Sequence, residues 1–174
     1  MEKILIVVDM QNDFVDGALG TKEAVGILEN VVSKIKNFEG RIFVTLDTHG
    51  KDYLETAEGK KLPVPHCIRD TKGWQLNEKV LEALSGKAYR TLEKNTFGST
   101  VLAEEMKEIR EKEEIRAELI GLCTDICVVA NALLLKAYCP EMEIGVDASC
   151  CAGVTPKTHE AALETMRMCQ IDVV

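Results

Sequence analysis

Short apolar runs alternate with amphipathic segments along nearly the whole chain. Residues 3–8 end in Ile4-Leu5-Ile6-Val7-Val8 and stop at Asp9, the pattern of a strand covered on both faces. Between residues 22 and 37, Val25, Leu28, Val32 and Ile35 recur at spacings of three and four, which predicts one amphipathic helix. Gly40 ends it, and residues 41–46 read as a second strand. Residues 47–73 show little periodicity and are interrupted by Gly50, Gly59, Pro63 and Pro65. They are predicted to form a long loop, a feature that is uncommon in compact domains and often functional. The pattern then predicts a helix at 75–84, a strand at 88–92 and a helix from Ser99 that runs into the charged stretch 104–116. That stretch reads as a solvated helix face and turn. A strand at 115–122, a helix at 126–137, a strand at 143–146, a helix at 156–168 and a short strand at 171–174 complete the chain. Such βα alternation predicts a three-layer α/β/α fold on a parallel sheet. Ligands of these sheets sit beyond the carboxyl ends of the strands.

Composition narrows the setting. With 174 residues, 46% of them hydrophobic, residues 1–174 are expected to form one domain with a full core. The net charge is −8, from 21 basic and 29 acidic residues, and no basic stripe is present, so nucleic acid is not an expected partner. No apolar run approaches the roughly 20 residues that span a bilayer, so no membrane segment is expected either. The opening apolar run is too short for a signal peptide, which points to the cytoplasm. Seven cysteines, an odd number without a Cys-x-x-Cys pair, argue against both a disulfide framework and a zinc ribbon. Most read as small core hydrophobes.

Three strand ends carry candidate chemistry. The first strand runs into Asp9-Met10-Gln11-Asn12-Asp13-Phe14, where Asp9 is an acid at the carboxyl edge or a turn-capping side chain. The third is followed by Glu93-Lys94-Asn95-Thr96-Phe97-Gly98-Ser99, which brings Lys94 to the same edge or leaves it an exposed loop lysine. The fourth ends in Gly121-Leu122-Cys123-Thr124-Asp125-Ile126-Cys127. Thr124 or Asp125 is a natural N-cap, which puts Cys127 in a first helical turn where the dipole would lower its thiol pKa. Position alone fits a nucleophile and a buried structural thiol equally. Acid, lysine and thiol on one edge form the better set, because a cysteine nucleophile needs a base and an orienting charge.

The long loop holds a second set. His49 and His66, two of the three histidines, lie there with Asp47, Glu55 and Glu58. Carboxylate with imidazole is a donor set for zinc, iron or manganese; two metal-free polar histidines are the alternative. His159 reads as an ordinary helix-face residue.

Five segments in this order carry a resemblance: Val8 to Phe14, Asp47-Thr48-His49, Leu62-Pro63-Val64-Pro65-His66-Cys67, Lys94 with Phe97-Gly98-Ser99, and Gly121 to Cys127. On them the chain resembles the isochorismatase-like cysteine hydrolases, which include nicotinamidases, N-carbamoylsarcosine amidases and isochorismatases. The resemblance implies a six-stranded parallel sheet in the order 3-2-1-4-5-6 and a triad of Asp9, Lys94 and Cys127. It implies a cis peptide before Cys123 and an oxyanion hole from the amides of Cys123 and Cys127. It also implies a divalent metal (zinc, iron or manganese) on Asp47, His49, His66 and Glu58, with Glu55 as the competing fourth ligand. The implied substrate is a small amide, nicotinamide first. Isochorismatase-type hydrolysis, N-carbamoyl amide hydrolysis and, from another class, a non-catalytic flavodoxin-like module are the alternatives. Two positions depart from the nicotinamidase pattern: Leu62 stands where an aromatic sandwiches the ring, and Thr48 replaces a common Trp. Phe14 and Tyr53 are the expected substitutes for that wall. Family habit implies a homodimer or tetramer.

Overall fold

The computed structural model describes residues 1–174. In chain order its elements are β1 (Glu2–Val8), α1 (Asn12–Val15), α2 (Lys22–Gly26), α3 (Leu28–Asn37), β2 (Arg41–Asp47), α4 (Ala57–Lys61), α5 (Glu78–Leu84), β3 (Tyr89–Lys94), α6 (Thr100–Arg110), β4 (Ile115–Leu122), α7 (Val129–Tyr138), β5 (Glu143–Ala152), α8 (Pro156–Met168) and β6 (Asp172–Val173). The six strands form one parallel sheet in the order β3-β2-β1-β4-β5-β6, as the resemblance implied. Alternation along β1 divides the core: Ile4, Ile6 and Val8 pack toward α6, α7 and α8, while Leu5 and Val7 pack toward α1, α2, α3 and α5. Successive strand side chains point to opposite faces, so an unbroken apolar run is what a strand between two helix layers requires. No helix is long and apolar enough to cross a membrane.

Four boundaries differ from the sequence expectation. The helix predicted over 22–37 is two helices, α2 and α3, divided at Ile27, with Thr21 capping the first by accepting a hydrogen bond from the Ala24 amide. The long loop contains a 3-10 turn at Tyr53–Glu55 and the short α4, capped by Thr56, whose hydroxyl accepts from the Gly59 amide. Strand β3 continues two residues further, so that Lys94 ends the strand itself. Strand β5 extends past Val146 to Ala152, across a register shift against β4 between Leu119 and Gly121.

The shift ends at a glycine packed tightly against β1. Gly121 pairs with Val8 in the β1–β4 register and has φ +117°. A Cβ there would lie 2.1 Å from the Val8 carbonyl oxygen, immediately before Asp9. Gly121→Ala is therefore expected to destabilise the fold by more than about 2 kcal/mol, from forced φ and steric overlap together. Urea unfolding checks this; a loss below about 0.5 kcal/mol, the size of an ordinary surface change, would show that β1 and β4 can separate at no cost.

Candidate active site

The carboxyl ends of β1 to β4 meet on one side of the sheet. The chain leaves β1 at Asp9 through a positive φ of 48°, a conformation that aspartate tolerates better than most residues. The turned carboxylate is fully buried. Its Oδ1 accepts a hydrogen bond from Thr45 Oγ1 at 2.7 Å, and its Oδ2 lies 2.6 Å from Lys94 Nζ. Lys94 in turn donates to Cys127 Sγ at 3.4 Å and sits 3.7 Å from Asp47 Oδ1. One buried ammonium is thus shared by two carboxylates and a thiol.

Burial and charge set the protonation of this cluster. Burial pushes the Asp9 carboxyl up, against the pull of Lys94. Burial also pushes the Cys127 thiol well up, and the Asp9 charge adds to it while Lys94 opposes. For Lys94, burial works against the cation, but the charges of Asp9, Cys127 and Asp47 outweigh it and hold the ammonium firmly protonated. The expectation that a helix dipole lowers the Cys127 pKa is corrected here: desolvation and the adjacent carboxylate dominate. The cap is corrected too. Cys123, not Thr124 or Asp125, is the N-cap of a π-helical turn at Thr124–Val128 that leads into α7. The Cys123 carbonyl accepts from the amides of Ile126 at 3.1 Å and Val128 at 3.0 Å. The Leu122–Cys123 peptide is cis.

The loop set also converges. His49 Nε2 is 2.9 Å and His66 Nε2 3.5 Å from Asp47 Oδ2, and the ligating atoms of these three residues all lie within 4.8 Å of one another. Glu58 Oε1 approaches both imidazoles, 3.5 Å from His66 and 3.8 Å from His49, whereas Glu55 is exposed and pairs with neither. His66 donates from Nδ1 to the Val64 carbonyl at 2.8 Å, which leaves Nε2 facing the cluster, the way a ligating imidazole is held by a second partner. Opposing burial, the hydrogen bonds from His49 and His66 hold Asp47 well below the ordinary carboxylate range. An ionised carboxylate and two imidazoles meeting at one buried point, with a second carboxylate beside them, suit a divalent cation.

A cavity of about 790 Å³ joins the two sets. Asp47, His49, Glu58 and His66 line one part, Cys123, Ile126 and Cys127 another, and Phe14, Leu19, Leu62 and Phe97 give it apolar walls. Tyr53 does not line it. Its ring is buried behind the histidines, with centroids 4.8 Å from His49 and 5.0 Å from His66, and its hydroxyl donates to the Leu62 carbonyl. The aromatic wall expected of Phe14 and Tyr53 is instead formed by Phe14 and Phe97, the latter half exposed at the mouth.

Three polar residues that sequence reasoning passed over hold this arrangement, Gln11 and Asn131 buried and Asp13 half-buried. Gln11 donates from Nε2 to the Asp47 and Trp74 carbonyls and accepts from the Asp47 amide, each at 2.8 Å. Asp13 accepts from the Cys67 amide at 2.8 Å, next to His66. Asn131 donates to the carbonyls of Cys127 and Phe97 and accepts from the Ser99 amide, which ties the Phe97 loop to the turn bearing Cys127. Thr48, at the position where the nicotinamidase pattern has Trp, accepts from the indole of Trp74, the chain's one tryptophan.

Comparison with known proteins agrees with this geometry. The Isochorismatase domain family matches residues 3–174. The nicotinamidase/pyrazinamidase of Mycobacterium tuberculosis is 26% identical over 188 residues, with 99% of this chain and 98% of the relative aligned. The crystal structure of the nicotinamidase/pyrazinamidase PncA from Bacillus subtilis is similar at TM-score 0.84 and 27% identity, covering 100% of both chains. The pyrazinamidase of Pyrococcus horikoshii, solved in complex with zinc, is similar at TM-score 0.79 and 26% identity over 100% of this chain and 99% of the other.

Proposed function

The chain belongs to the isochorismatase family and is an amidohydrolase of it, and from that premise we propose that it hydrolyses a small aromatic amide, nicotinamide first, through a thioester on Cys127. The observation that carries the proposal is the chain of contacts from Asp9 through Lys94 to Cys127 at the wall of a cavity sized for a small ligand. Asp9 takes the thiol proton while the Lys94 ammonium keeps the developing thiolate and the carboxylate in register. Sulfur attacks the amide carbon, and the carbonyl oxygen takes up the charge opposite the amides of Cys123 and Cys127. Asp9 returns its proton to nitrogen as the C–N bond breaks and ammonia leaves. A water deprotonated by Asp9 then cleaves the thioester and frees the acid. Burial raises the Asp9 carboxyl, which makes it a better proton acceptor than an ordinary exposed carboxylate.

Asp47, His49, His66 and Glu58 are the residues that would hold a divalent cation, and when bound it supplies a Lewis-acidic anchor for a ring nitrogen of the substrate. Phe14 and Phe97 face the same cavity and suit a flat aromatic ring. The reading is tested by ammonia release across nicotinamide, pyrazinamide, N-carbamoyl amino acids and aliphatic amides. Turnover of the two ring amides above the rest is expected, and preference for a carbamoyl compound would move the assignment to that branch of the family.

Metal removal separates the two halves of the site. Dialysis against a chelator is expected to raise KM for nicotinamide at least about tenfold, with recovery on adding zinc, iron or manganese. An aliphatic amide without a ring nitrogen should be much less affected. Elemental analysis that finds no transition metal, with KM unchanged by the chelator, would remove the cation from the reaction.

A further inference from the structure

The third histidine lies outside both sets and has a partner the sequence did not suggest. His159, in the first turns of α8, has Nδ1 2.8 Å from Thr124 Oγ1, and the two are hydrogen-bonded. Thr124 is fully buried and directly follows Cys123, so its side chain is one of the fixed points of the turn that carries the Cys123 amide. The carbonyl side of this turn is already held, by the Ile126 and Val128 amides on Cys123. The side-chain side depends on what lies across from it.

What lies across is rigid. Thr155 and Thr158 form a reciprocal cap at the start of α8, and Pro156 occupies its first turn. Gly153 runs so close to this turn that a Cβ would sit 2.8 Å from the His159 amide nitrogen. Next to it, both carboxylate oxygens of Asp125 accept from the Val154 amide, at 3.2 and 3.1 Å. The Thr124 and Asp125 side chains are therefore both docked on the β5–α8 corner, Thr124 through one imidazole nitrogen.

We propose that His159 is a positioning residue for the reaction: through Thr124 it fixes the turn bearing the Cys123 amide, and so the oxyanion hole, without touching substrate. The inference rests on the thioester reading of the site. Donors in such a hole work by being aimed at the oxygen of the transition state before the reaction begins, so a loosened turn costs turnover more than substrate binding.

The test compares His159→Ala, His159→Asn, Thr124→Val and the double variant Thr124→Val/His159→Ala. Asparagine keeps a polar group near the position of Nδ1. Two readouts are used: kcat and KM for nicotinamide, and the dissociation constant of pyridine-3-carbaldehyde. With the aldehyde, a sulfur–carbon bond forms, the thiol proton passes to Asp9, and the former carbonyl oxygen carries its charge in the same hole. His159→Ala and Thr124→Val are each expected to lower kcat about tenfold and weaken the aldehyde about tenfold, a fraction of what deleting a donor outright costs, with KM within about twofold. The double variant is expected to be no worse than the poorer single one, because both remove the same bond. His159→Asn is expected to recover most of the loss. Unchanged kcat in His159→Ala, losses that multiply in the double variant, or no recovery in His159→Asn would each overturn the proposal. So would a lowered melting temperature with kcat intact, which is the mark of a purely structural bond. Should Thr124→Val fail to fold, the pair His159→Ala and His159→Asn decides alone. Failure of the unsubstituted protein to hydrolyse nicotinamide counts against the substrate reading, and the aldehyde still reads the hole.

Discussion

Cys127→Ala is expected to lower ammonia release at least about 10⁴-fold while leaving the fold in place, because removal of a covalent nucleophile leaves only binding and electrostatics to act. Sulfur is lost from a buried position at the head of α7, so a small cavity remains. The variant also loses the 3.4 Å hydrogen bond that Lys94 donates to the sulfur. Both losses are small, and the change in unfolding free energy is expected to stay within about 2 kcal/mol. Ammonia release and urea unfolding on the same preparation check both statements. Turnover within tenfold of the unsubstituted protein would remove Cys127 from the reaction.

Lys94→Met is expected to be costly in both measurements. The ammonium is the one cation among Asp9, Asp47 and Cys127, at 2.6, 3.7 and 3.4 Å. Without it, burial dominates at Asp9, which then holds its proton at neutral pH and is no longer a base. A loss of kcat on the order of 10³-fold or more follows, as for removal of a group that acts in concert with the nucleophile. Stability should fall by roughly 2–4 kcal/mol at pH 8, less than the full cost of orphaning a buried charge because Asp9 neutralises itself by taking up a proton. The pH dependence has a definite sign. In the native protein Lys94 is raised above its ordinary value, so its contribution is complete throughout the range below that value and is lost only in strong alkali. In the variant Asp9 is raised further, so the folded form binds a proton that the unfolded chain has released. Its stability therefore falls as pH rises from the ordinary carboxylate range toward neutrality. The gap between the two proteins should be narrow at pH 5 and wide at pH 8, and a gap independent of pH would contradict this account of Asp9.

Much of the fold was legible because the central strands have a simple environment. Strand β1 reads as an unbroken apolar run from Ile4 to Val8, and β2 and β4, although interrupted by polar residues, are buried on both faces toward their carboxyl ends. The edge strand β3, Tyr-Arg-Thr-Leu-Glu-Lys, is largely exposed, so its pattern faded before its end at Lys94. In β5 the stretch Asp147-Ala148-Ser149 interrupts the apolar run, and the strand resumes its pairing with β4 beyond the register shift, at Cys151 and Ala152. The candidate site residues could be proposed for a different reason: acid, amine and thiol fall at the ends of successive strands, and two of the three histidines share one long loop. What holds them was not legible. Gln11, Asp13 and Asn131 act on backbone atoms 36, 54 and 32 residues away, and a buried amide looks like any other polar residue until its distant partner is known. Nor could the chain order alone show that burial beside Asp9 would govern the Cys127 thiol, since that depends on how completely the packed helices exclude water.

The pairing of β2 with β3 has a further consequence. Asp47 and Lys94 are direct register partners on these strands, and Thr45, whose hydroxyl holds Asp9, is the register partner of Val8 on β1. The cluster is thus written across strands by their alignment. A slip of one residue would carry each side chain about 3.3 Å along the sheet and turn it to the opposite face. Catalysis in this protein is a gauge of strand alignment: a substitution in the sheet that leaves melting nearly untouched can silence the enzyme from the far side of the core.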